Sequence, residues 1–206
     1  MSLKQYIVIS IAIVVLIAFG SYFIYKDQFE FSKLVGIVEE PLEKNKGIMI
    51  LPDESYIYKI EQFGESVEFE YKVFLGQTCM QIAIELEEGY TFSCLNNEGN
   101  DEGGSNISMV NNAIIMFKPW MLALDKNWTW NAKYVSLHDN KILEEYDFKT
   151  VGMEKIFGRN SYKIEISSGE LLVVVWVDEY KRILLKEIGN GYSAEIISAP
   201  FPLNKS

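Results

Sequence analysis

The sequence predicts a mainly β protein: an N-terminal transmembrane helix followed by a curved antiparallel sheet, a half-barrel or open barrel, with one packing helix. Three observations predict it. Twenty consecutive residues near the start carry no charge, apolar residues beyond residue 47 recur with period two, and turn residues fall at hairpin spacing. The composition, 49% apolar and 23% charged over 206 residues, is that of a folded chain and excludes disordered and collagen-like classes. That length accommodates one domain with an accessory segment.

The uncharged segment runs from Tyr6 to Tyr25 (YIVISIAIVVLIAFGSYFIY). At ~1.5 Å per residue it matches a hydrocarbon core of ~30 Å, and lipid obliges its backbone to bond internally, so it reads as a helix. Tyr6 at one end and Tyr22, Phe23 and Tyr25 at the other suit the interfaces. A cleaved signal peptide is the rival, with Lys4 as its basic head and Ala18-Phe19-Gly20 before Ser21 as its cleavage site. The apolar run continues past that point to Tyr25, which favours an uncleaved anchor, and no Cys stands near its end to carry a lipid. A short head is easily retained, so the expected placement is single-pass in the cell membrane through residues 6–25, with the β domain extracytoplasmic. Beyond Tyr25 there are 18 basic and 29 acidic residues, a net charge of −11. Such a body is repelled by anionic headgroups and offers no basic face to nucleic acid.

The expected organisation is an anchor at 1–25, a stalk at 26–47 with a short strand around Leu34–Val38, a β domain at 48–200 and a tail at 201–206. Val67, Phe69, Tyr71, Val73 and Leu75 alternate with polar residues, giving a strand with one wet face. Met80, Ile82, Ile84 and Leu86 give the next strand, which turns at Glu87-Glu88-Gly89 into Tyr90–Leu95. Ser105–Lys118 carries Ile107, Val110, Ile114 and Phe117 at helical spacing and is the expected packing helix, stopped by Pro119. Trp128, Trp130, Ala132 and Tyr134 share one strand face, and Tyr162, Ile164 and Ile166 share another. Leu171–Val177 is apolar on both faces, so something should cover it from outside. Tyr180–Ile188 and Tyr192–Ile197 close a meander, for about eight to ten strands in all.

Candidate chemistry is sparse. One His and two Cys cannot build a usual zinc site, and nucleophile-elbow, P-loop and dinucleotide motifs are missing; no catalytic residue and no cofactor is indicated. The oxygen-rich stretch 96–104 fails the calcium-loop pattern, with Asp101 where Gly is needed and Ile107 where Glu is needed, so no metal is expected. Glu68/Glu70 and Glu85/Glu87 lie on polar strand faces, and His138 reads as a solvated turn residue. Cys79 and Cys94 flank a hairpin. Strand parity sends them to opposite faces, a bulge would bring them together, and the disulfide is left open. Asn106 and Asn127 begin glycosylation sequons. The remaining signal is aromatic: Trp120, Trp128, Trp130 and Tyr134 within fifteen residues, then Tyr162 and Trp176. These rings either fill the core or, as Trp128, Trp130, Tyr134, Tyr162 and Trp176, line a cavity for a hydrophobic ligand.

The runs KPWMLALDKNWTW, VGMEKIFGRNSYKIEI and VVVWVDEYKRILLKEIGNGYSAEII, over residues 118–198, resemble the strand order of LolA/LolB-like half-barrel proteins. The resemblance implies a strongly bent antiparallel sheet that wraps a helical plug and holds acyl chains. The chain departs from LolB in lacking a lipobox Cys and from LolA in keeping its anchor. The expected function is therefore an anchored, extracytoplasmic binding domain for a lipid-like ligand. The alternative is a structural or interaction domain of a cell-envelope complex without a ligand pocket, whose protein partner the sequence does not name.

Overall fold

A computed structural model describes residues 35–86, 89–96, 99–100 and 115–204. The expected membrane span at 6–25, most of the expected helix at Ser105–Lys118, and Asn106 lie outside the described residues. Among the described residues no helix is long and apolar enough to cross a membrane.

Among the described residues eleven strands form one sheet: β1 (Val35–Glu39), β2 (Ser55–Gln62), β3 (Glu65–Leu75), β4 (Met80–Leu86), β5 (Gly89–Leu95), β6 (Thr129–Ser136), β7 (Ile142–Ile156), β8 (Arg159–Ser168), β9 (Leu171–Asp178), β10 (Leu184–Gly189) and β11 (Tyr192–Ser198). Their spatial order is β1-β6-β7-β8-β9-β10-β11-β2-β3-β4-β5, an open antiparallel sheet in which most neighbours are joined by short hairpins. One more strand is present than the upper bound read from the sequence. The expectation of mainly antiparallel β structure holds.

Strand alternation decides the faces. The register Tyr58–Phe69, Ile60–Val67, Tyr71–Ile84 and Val73–Ile82 puts the apolar residues of β2, β3 and β4 on one side. The register Ile164–Val175 and Tyr162–Val177 does the same for β8 and β9. All of these contribute to a single buried cluster, except Ile60, Val67 and Phe69 at the margin. The inner face is therefore the core. Its only described helical piece is the 3-10 turn Pro119–Ala123, wholly buried, whose preceding Lys118 is extended, as a residue before proline must be.

Contacts divide the chain into two units. The smaller contains, of the described residues, 35–36 and the hairpin end 134–143; the larger contains 37–133 and 144–204. In the larger, residues read as stalk are tied down: the amides of Asn45 and Lys46 both donate to the Leu122 carbonyl at 3.2 Å, and Leu42 packs on the core. Cys79 and Cys94 are joined by a disulfide with Cα atoms 5.5 Å apart. Parity misleads here because Cys79 precedes β4, which starts at Met80, so the alternation that governs Gln81 does not extend to it. No described helix covers the outer face of β9. Trp176 is instead roofed by Lys163 and Lys186, whose ammonium groups lie 5.4 and 5.9 Å from its ring, while Leu172 stays exposed.

Candidate functional site

The inner face holds two regions of different chemistry. In the first, Trp120, Trp128, Trp130 and Phe148 form a ring cluster. Trp120 and Trp128 stack at 5.8 Å, Trp128 and Trp130 at 6.3 Å, and Phe148 lies 5.0 Å from Trp130 and 5.3 Å from Trp120. All four rings are buried, and these separations leave no room for a ligand between them. The Trp130 indole donates to the Glu40 carbonyl at 3.0 Å.

Beside this cluster, Arg182 is almost fully buried in the turn after β9. Its guanidinium lies 4.7 Å over the Tyr162 ring, donates to the Leu124 carbonyl at 2.9 Å, and reaches Asn45 Oδ1 at 3.4 Å. Its Nε finds no partner, and burial lowers its pKa. Asp178, 1% exposed, takes the bidentate guanidinium of Arg159 and the amides of Tyr180 and Lys181. Lys181 in turn pairs with Glu54, which also accepts the Tyr56 hydroxyl at 2.6 Å. Arg182 and Asn45, which bond the carbonyls of Met121, Ala123 and Leu124, read as a latch holding the 119–124 segment, while the Asp178 and Glu54 pairs brace the turn that carries Arg182.

The second region is built by a β-bulge. Between β9 and β10 the register jumps, pairing Leu184 with Val177 but Lys186 with Trp176. The extra residue reverses the alternation: Lys186 goes out beside Trp176, and Glu187, opposite Val175 and Ala194, goes in. A carboxylate thus stands on the apolar face. Tyr192 lies across Gly189 and donates its hydroxyl to Glu187. Glycine is needed there, since a Cβ would stand 2.2 Å from the Tyr192 ring. Burial raises the Glu187 pKa, opposed by the Tyr192 hydrogen bond and by the Lys118 charge. Tyr71, also inward, is pushed up to about 12, mainly by burial.

Around this acid the inner face is less covered. Ile60 and Phe69 are half-buried and Val67 is 51% exposed. A surface crevice of ≈ 490 Å³ opens next to Tyr192, between the β2–β3 and β10–β11 turns, and is lined by Gln62, Phe63, Glu65, Gly191 and Ser193 among others.

The five residues expected to line a ligand cavity do not converge. Trp128 and Trp130 sit in the ring cluster. Tyr162 is buried under Arg182. Trp176 faces outward, its indole donating to Glu154 at 2.9 Å. Tyr134 is half-buried in the hairpin end of the smaller unit. Asn127 is exposed at a turn. Glu187 and Tyr192 were not among the expected site residues; the run Tyr180–Ile188 carries no local sign of the bulge that aims Glu187. Among the described residues no group of His, Cys, Asp and Glu is disposed to hold a metal.

No family model and no curated protein matches the sequence. Among solved structures, the chain is similar to two crystal forms of PNGF-II. The identities are 13% and 14% with TM-scores of 0.30 and 0.29, over 71% of this chain, which spans only 27% and 28% of PNGF-II. It is also similar to a protein from Bacteroides fragilis, described as exported with a YmcC-like fold, at 8% identity and TM-score 0.35 over 75% of this chain and 99% of that one. At such TM-scores neither likeness bears on function.

Proposed function

We propose that the chain is a single-pass membrane-anchored protein whose β domain, a half-barrel held outside the cytoplasm, binds a lipid-like ligand at the Glu187–Tyr192 end of its inner face. The observation that carries this is an inward carboxylate, with one hydroxyl partner, on an otherwise apolar and partly open face. Ligand sites of this kind are mostly apolar, with a few fixed polar groups that orient the ligand. Two further features support the reading: the uncharged run 6–25, and the Cys79–Cys94 disulfide, which suits an oxidising compartment. The tryptophan cluster is core in this reading and takes no part in binding.

Native mass spectrometry of the full chain in mild detergent tests it. A lipid-sized mass bound to the wild type and lost in Val67→Trp, which fills the open strip, is the expected result. The filled ring cluster favours a second reading, an interaction domain of an envelope complex. A ligand-free spectrum together with a single crosslinked protein partner would establish that reading instead.

A further inference from the structure

The end of the β6–β7 hairpin is apolar and lies outside the core. Leu137, Ile142 and Leu143 are 58, 49 and 44% exposed. Neighbouring strand residues point to opposite faces, so Ile142 and Leu143 are both half in solvent only because neither side of β7 is covered there. Along β7 the core is first met by Tyr146, which packs against its margin, and then by Phe148 within it. The turn itself is well formed. The Ser136 amide bonds the Lys141 carbonyl at 2.8 Å, the Asn140 amide returns to the Ser136 carbonyl at 2.9 Å, and Asp139 accepts the Lys141 amide at 3.2 Å. Three exposed apolar side chains at one ordered tip are a patch rather than a scatter.

The start of the described chain lies at this tip. A Cβ on Gly36 would meet Leu137 at 2.7 Å and Val135 at 3.3 Å, which sets the first residues of β1 against the hairpin end. Nine residues, 26–34, separate β1 from the uncharged run 6–25. Fully extended they reach no more than ~30 Å. The tip is also electrically neutral, with Asp139 and Lys141 its only charges at neutral pH, whereas the body after Tyr25 carries −11. Its zero net charge spares it the repulsion that anionic headgroups exert on the acidic body as a whole.

We propose that the β6–β7 tip, through Leu137, Ile142 and Leu143, docks into the lipid interface beside the anchor and gives the domain a second membrane contact. Lys141 then lies at headgroup level, its stem along the apolar residues and its ammonium in water. The inference rests on residues 6–25 spanning the same bilayer. Its test keeps the two apart. Single cysteines are placed at Leu16→Cys, Leu137→Cys and Leu51→Cys in the full chain, labelled with an environment-sensitive fluorophore, and reconstituted in phosphatidylcholine vesicles containing nitroxide lipids. Labels at 16 and 137 should be quenched, the latter by shallow nitroxides at roughly 5–10 Å depth. The label at 51, before β2 at the other end of that strand from the β2–β3 turn and equally exposed, should not be quenched. Adding Ile142→Glu and Leu143→Glu should abolish quenching at 137 and leave it intact at 16. Quenching at 16 with none at 137 overturns the tip contact alone; none at 16 overturns the anchor, and with it the basis of both readings.

Discussion

Two regions share one face of the sheet and solve opposite problems. The tryptophan cluster is filled by its own rings and, with Arg182, uses its polar groups to bind backbone. The Glu187–Tyr192 end puts a carboxylate among apolar neighbours and leaves Val67 half-open beside it. Abundant aromatics therefore mark the packed region, while a single misplaced acid marks the region with chemistry to spare. Burying a polar group costs free energy unless it is bonded, and the Tyr192 hydroxyl and the Lys118 charge offset only part of that cost for an inward carboxylate.

Substitutions should separate the two. Trp130→Ala opens a cavity in a close-packed cluster and should cost about 3–5 kcal/mol, read as a lowered denaturant midpoint. Arg182→Leu removes one of the two donors to the Leu124 carbonyl and the donor to Asn45 Oδ1, and should cost roughly 1–3 kcal/mol; a neutral result would mean that the latch is dispensable. Tyr192→Phe removes one hydrogen bond and should cost only about 1 kcal/mol, while weakening ligand capture more than either core variant that still folds. Glu187 should be visible through pH. Its folded pKa lies above the ordinary 4.5, so its contribution to stability is fully present below that value and is lost as pH rises through the folded one. Glu187→Gln should flatten that part of the stability profile, and an unchanged profile would show the acid to be solvated. Smallest of all, Lys163→Met breaks an ion pair with Glu154 on the outer face, 2.9 Å long but between partly exposed groups, and should change stability by less than about 0.5 kcal/mol in a thermal melt.

Much of the fold is legible from period alone. Val67–Leu75, Met80–Leu86 and Leu171–Val177 fall within β3, β4 and β9 because unbroken alternation and a buried face go together. What period cannot see is a change of phase. A register shift separates Thr150 from Gly152 in β7, another Leu184 from Lys186 in β10, and a third Ile196 from Ser198 in β11. The same blindness governs Cys79, which lies off the strand whose parity was extended to it. The double-sided hydrophobicity of β9 was legible too, but its cover is two lysine stems and Glu154 rather than a described helix, because long cationic side chains can shield an indole as well as an apolar surface can. Of the site, the aromatic residues were visible and their dispersal was not, since Tyr162 and Trp176 belong to opposite faces of adjacent strands.

The extra residue in β10 acts as an inverter of polarity. Were Leu185 to pair opposite Trp176 in an unbroken ladder, Lys186 would stand opposite Val175 and face in, and Glu187 would stand opposite Val174 and face out. The hydrophobic content of the strand would barely change, yet the interior would exchange an acid for a base. The charge that this face presents is thus set by one irregular pairing.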